Sequence, residues 1–111
     1  MGLFDFLLRK KDPDLCMIRD FIIIAKLNGD SIRISKEWIL AEMKLKKIPE
    51  DKYYKVAKNP NHIKDCYPKD QQSQMNYLLT LISVSKTKGA QIYAAKKAKD
   101  MGLSKSLGVD V

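Results

Sequence analysis

Residues 12–30 read Asp-Pro-Asp-Leu-Cys-Met-Ile-Arg-Asp-Phe-Ile-Ile-Ile-Ala-Lys-Leu-Asn-Gly-Asp, and no other stretch limits the fold as strongly. Pro13 suits the first position of a helix, where its missing N–H costs nothing, and Asp12 and Asp14 suit the positive end of the helix dipole. Leu15, Ile18, Ile22 and Ala25 recur on one stripe, and Cys16, Met17, Phe21 and Ile24 fill much of the remaining circumference. Little beyond Arg19, Asp20 and Lys26 interrupts them. A helix apolar nearly all round belongs inside a bundle, not on its surface. The run is too short and too often charged to span a membrane. Asn28-Gly29 supplies the stop, because glycine accepts the left-handed conformation that ends a helix.

A chain of 111 residues with a 45% apolar share can close one domain around a modest core. Residues 1–11 stand before it as an amphipathic segment. Leu3, Phe4, Leu7 and Leu8 share a side, and Arg9, Lys10 and Lys11 form a basic collar. Such a segment either anchors at a membrane surface or a partner, or packs on the domain as a first helix. Phe6 stands where a myristoylation signal wants Ser or Thr.

Beyond Gly29, the alternation of residues 30–35 reads as an extended connector, with Ser35 capping a helix over 36–45 in which Trp38 is the largest anchor. Pro49, Glu50 and Asp51 start another helix carrying Tyr53, Tyr54, Val56 and Ala57. Asn59-Pro60 then opens a single turn through Ile63. Asp70 or a neighbour caps a long helix through Lys86, with Met75, Leu78, Leu79 and Ile82 on one stripe. The run at 86–89 ends it. A last helix over 91–101 is expected to turn Ile92, Ala95 and Met101 inward and Lys96, Lys97 and Lys99 outward, and to stop at Gly102. Residues 105–111 form a tail.

The formal net charge is +8, almost all of the excess lysine. That balance suits an acidic protein, an anionic membrane surface or nucleic acid, although specific phosphate and base recognition leans on arginine. The lysines at 44, 46 and 47 cluster at one helix end, and those at 96, 97 and 99 on another helix. Tyr53, Tyr54 and Tyr93 could stack on bases if exposed, but no nucleic-acid-binding motif is legible. Self-association is compatible with the sequence.

Chemistry is sparse. His62, the single histidine, precedes Cys66 by four residues and could share a helical side with it, the start of a nucleophile and its base. No third group orients the pair, and Pro60 and Pro68 bracket it, so a surface loop is the expected setting. One histidine and two distant cysteines make no zinc pattern. No glycine loop for phosphate and no defensible acid–base pair of carboxylates is present, so neither catalysis nor a cofactor is expected. With no secretory signal legible, both cysteines are expected as free thiols in a reducing, cytoplasmic setting, at most peripheral to the inner face of a membrane.

The two long helices align at an offset of about 60 positions. Leu15 meets Met75, Ile18 meets Leu78, Phe21 meets Leu81, Ile22 meets Ile82, Ile24 meets Val84, Lys26 meets Lys86 and Gly29 meets Gly89. Each is followed by a second helix, ending in Met43-Lys44-Leu45 and in Met101-Gly102-Leu103. Phe21 through Asp30, then Ile34-Ser35-Lys36-Glu37, and later Leu78 through Gly89 with Met101-Gly102-Leu103-Ser104, resemble the TerB-like family, the small helical domains of tellurite-resistance proteins and of some membrane-linked J-domain cochaperones. The resemblance implies an all-α fold with pseudo-twofold character and a stress-linked binding role without catalysis. It also implies acidic corners that offer oxygens to a metal. Here Asn28, Asp30 and Glu37 keep the first corner, while Lys88-Gly89-Ala90 replaces the second, and half a site falls short of the six or more oxygens a hard cation wants.

The sequence therefore predicts one all-α domain over 12–104, a bundle of about five to seven helices with two central antiparallel long helices and an internal repeat. Its expected work is binding. The candidate contacts are Leu3, Phe4, Leu7, Leu8 and the two lysine clusters, with a protein or anionic surface as partner and nucleic acid as the alternative.

Overall fold

The computed structural model describes residues 12–64 and 66–103, and every regular element among them is helical. In chain order these are α1 (Pro13–Asn28), α2 (Ile32–Leu45), α3 (Asp51–Lys58), a 3-10 turn (Pro60–His62), α4 (Gln71–Val84) and α5 (Lys88–Asp100). No helix among the described residues is long and apolar enough to cross a membrane.

α1 is the hub and packs against each of the other four helices. The Asp12 side chain accepts the Asp14 backbone N–H, and Pro13 sits in the first turn. At the other end Gly29 adopts φ +82, with its N–H on the Lys26 carbonyl and that of Asp30 on Ala25. This paired closure satisfies carbonyls that the helix leaves orphaned. Ile18, Phe21 and Ile24 are fully buried, each contributing roughly 1.5–3 kcal/mol of apolar burial. Around them pack Ile39 and Met43 of α2, Tyr53 and Val56 of α3, Tyr77 and Leu81 of α4, and Ala90 and Ala94 of α5.

α2 starts four residues earlier than the sequence suggests. Ser31, not Ser35, is the cap, and its Oγ accepts the Ile34 N–H. Ser35 lies in the first turn and donates back to the Ile32 carbonyl. The alternation that mimics an extended connector comes from Ile32 and Ile34 standing in solvent on a helix. α1 is the main neighbour of α2. Trp38 meets Phe21 edge-on at 5.5 Å and donates its indole N–H to Asp30 Oδ2 at 2.9 Å. α2 closes as α1 does, with Ile48 N–H on the Met43 carbonyl and Lys47 on Lys44. Lys47 takes the left-handed position at φ 59, which costs a side-chain-bearing residue about 1 kcal/mol.

Asp70 caps α4, as read, but α4 ends at Val84. Gly89 is no stop. It lies in the first turn of α5, which Thr87 caps through Ala90 N–H. The matching glycine closure is at Gly102, φ +74, where Leu103 N–H reaches the Ala98 carbonyl and the buried Leu103 side chain packs with Ala98 and Leu78. The inward register of α5 also differs from expectation. Ala90, Ala94 and Ala98 face the core, and Ile92 is exposed. Small alanines let α5 approach closely, so the bulkier Ile92 misleads as a marker of the inner side.

Cys16 and Cys66 form a disulfide, with Cα atoms 5.7 Å apart. The expectation of two free thiols is thus corrected. Both residues are buried, Cys66 included, so it is no surface-loop residue. The bridge closes about 50 residues of chain, and by loop entropy would stabilise the fold by about 4 kcal/mol at most.

Candidate functional site

The sequence-predicted residues fall into separate places. Leu3, Phe4, Leu7 and Leu8 lie outside the described residues. Lys44, Lys46 and Lys47 are exposed together at the α2 corner. Lys96 and Lys99 are exposed on α5, but Lys97 is not. It is 5% exposed, with Nζ 3.3 Å from Asp20 Oδ2. The outward reading of Lys97 is corrected by the register of α5, because one helical turn separates it from buried Ala94 and places it on the same inner arc.

Asp20 is fully buried, the one acid in the middle of the apolar hub. Tyr77 of α4 donates its hydroxyl to Oδ2 at 2.5 Å, and Tyr93 of α5 donates to Oδ1 at 2.6 Å. Arg19 Nη2 stands 3.4 Å from Oδ1, while Arg19 Nη1 donates to the Ile63 carbonyl at 2.7 Å. One carboxylate thus gathers donors from α1, α4 and α5, which is what makes a buried charge tolerable. Burial foremost, then the Asp20 charge and the hydrogen bond to it, raises both phenols well above the ordinary tyrosine value of 10.0. The arrangement holds protons and charges in place. Tyr93 is therefore not free to stack on a base with its hydroxyl in solvent, and Tyr53 is buried.

The corner residues have protein partners too. Asn28 Nδ2 donates to the Val84 carbonyl, and its Oδ1 accepts Lys86 and Thr87 N–H groups, stitching the end of α1 to the α4–α5 connection. Thr87 Oγ1 returns a hydrogen bond to the Leu27 carbonyl. Asp30 holds Trp38. Glu37 is exposed on α2. Among the described residues no group of three or more His, Cys, Asp or Glu side chains is placed to hold a metal ion. His62 sits on the 3-10 turn beside Asn59, 3.2 Å away, and Cys66 is spent in the disulfide, so the pair holds no thiolate. At the other end of α1, Lys52 bridges Asp12 and Asp14 at 3.1 Å each. Burial works to lower its pKa, but the two carboxylates outweigh that and hold it raised.

What the sequence did not single out is the solvent side of α2. Ile39 and Met43 point into the core. On the opposite side stand Ile34, Ala41 and Leu45, with Ile34 45% and Leu45 78% exposed, and Trp38, half-buried against Phe21, borders them. Their spacing of four, three and four was available as a signal, but it becomes visible only once the helix is known to begin at Ile32. Beside it runs an open groove of about 540 Å³, lined by Glu37, Leu40, Ala41, Met43, Lys44, Ile48 and Glu50. The Asp20 cluster does not border that groove. No family model, characterised protein or solved structure matches the chain.

Proposed function

We propose that this chain is a non-catalytic helical binding domain of TerB-like type, and that it docks a protein through the outer side of α2. The observation that carries the reading is a helix apolar on two opposite sides, one in the core and one uncovered up to a 78% exposed Leu45. A helix with a single buried face needs only one apolar stripe. The buried polar cluster supports a structural role for Asp20 and its donors, since each is directed at another helix. A duplicated scaffold built on α1 and α4 belongs to the same proposal. In its favour are the like closures of the second helices, α2 at Lys47 and α5 at Gly102; against it stand Gly89, which is helical, and the end of α4 at Val84 without the glycine closure of α1. A stress-linked, cytoplasmic role comes with the TerB-like resemblance, and the disulfide sits poorly with a reducing compartment.

A second reading, docking to an anionic surface, is favoured by the exposed lysines at 46, 47, 96 and 99. Nucleic acid is less favoured, because two of the three tyrosines proposed for stacking are engaged in the core.

The test is a photo-crosslinking residue at position 45, compared with one at position 99 on α5. The docking reading expects covalent protein adducts from position 45 in living cells and none from 99. Equal or absent adducts sink it. Sedimentation with anionic and neutral vesicles at two salt concentrations tests the second reading, which expects binding to the anionic ones alone, weakened by salt.

A further inference from the structure

We infer that the partner of the outer α2 side is α2 of a second copy, packed antiparallel about a twofold axis. This rests on the reading that the side is a docking surface, and it names the occupant.

Ile34, Trp38, Ala41 and Leu45 follow the four–three–four spacing of a coiled-coil seam. The seam is self-complementary when reversed. An antiparallel twofold sets Ile34 opposite the partner's Leu45, and the half-buried Trp38 opposite the partner's Ala41. Large side chains then meet small ones at the centre, and two branched aliphatics meet at each end. A twofold interface must satisfy this condition, because each contact occurs twice. A parallel pair would instead set Trp38 against the partner's Trp38 and leave Ala41 against the partner's Ala41.

Charge points the same way. Glu37, one turn after Ile34, and Lys44, next to Leu45, flank the seam on one side, and the reversed pairing brings Glu37 beside the partner's Lys44. Antiparallel packing thus yields two opposite-charge pairs, whereas parallel packing sets this flank against the other flank of the partner's seam and brings Glu37 towards the partner's Glu42. The chain carries +8, which opposes self-association in general. α2 carries little of that excess, since Arg33, Lys36 and Lys44 are set against Glu37 and Glu42. It is a side on which two basic molecules can meet. The helix is about 21 Å long, so the contact falls in the size class below about 1,200 Å², that of weak and transient association.

Sedimentation of the full chain from about 10 μM to about 1 mM spans that class. A monomer–dimer equilibrium is expected, and a monomer throughout overturns the inference. Leu45→Lys should abolish the dimer while its thermal transition stays in place, as befits an exposed residue. Glu37→Lys and Lys44→Glu should each weaken dimerisation, and the two together should restore it; a double variant as weak as either single one overturns the antiparallel pairing. Mixed Ile34→Cys and Leu45→Cys chains should cross-link to each other, and neither should cross-link to itself. If deleting residues 1–11 abolishes the dimer, the contact lies in that segment and the inference fails.

The position-45 adduct separates the two levels. Twice the chain mass supports the second copy. Another mass overturns it and leaves the docking surface standing, and no adduct removes both.

Discussion

The two sides of α1 are built on different principles. Towards α4 and α5 it offers Asp20, whose two oxygens take up two phenols and an ammonium, and Asn28, whose amide ties three backbone groups. Towards α2 it offers Phe21 against Trp38, with one side-chain hydrogen bond nearby, from the indole to Asp30. Hydrogen bonds to a buried carboxylate are directional and fix how helices meet, whereas apolar contact accepts several arrangements. The difference teaches where this molecule is committed. One half is closed upon itself by polar contacts, and the other carries a helix held mainly by grease, with an apolar side left over.

The sharpest way to break that contrast is Asp20→Ala. It strips Tyr77, Tyr93 and Lys97 of their shared acceptor in a fully buried site, and should cost about 3–5 kcal/mol in denaturant unfolding. A loss below about 1 kcal/mol would mean that the cluster is not a lock.

Alkaline pH probes the same side. Tyr77 and Tyr93 keep their protons to higher pH when folded than when unfolded, because burial and then Asp20 oppose the phenolate. Stability from this source is complete below the unfolded tyrosine value of 10.0 and drains away as the pH rises above it. The urea midpoint should therefore fall above about pH 10, and fall less steeply in Tyr77→Phe. Parallel slopes for the two proteins would detach the tyrosines from the effect.

On the other side of α1, Trp38→Phe keeps an aromatic ring near Phe21 and removes the N–H to Asp30. A loss of about 1 kcal/mol is expected in the same unfolding assay. A loss as large as that of Asp20→Ala would erase the contrast between the two sides. The smallest effect has the opposite sign. Lys47→Gly relieves a left-handed lysine at the close of α2 and should stabilise by about 0.5–1 kcal/mol, read as a rise in melting temperature.

The all-helical class was legible because local chemistry and packing agree in α1. Asp12, Pro13 and Asn28-Gly29 bound the helix where the apolar run begins and ends. The start of α2 was misread because Ser31 and Ser35 are equally good caps by composition, and only the fold decides between them. Lys97 was read outward because lysine is rarely buried. Its inward placement depends on Asp20, 77 positions away in sequence, and no local signal records that pairing. The single hint was the acid itself, a charge in mid-run that a buried helix keeps only if something answers it. The α2 corner lysines were legible as exposed, since cations at a helix C-terminus need no partner.

The bridge between Cys16 and Cys66 has a topological consequence. It turns the chain between those residues into a ring that contains α2, α3 and most of α1, with α4 and α5 hanging outside it. A protease that cuts once within the ring, for instance at the exposed corner around Lys46 and Lys47, opens a circle without releasing a piece. The nicked protein should run as one band on a non-reducing gel and as two when thiol is added.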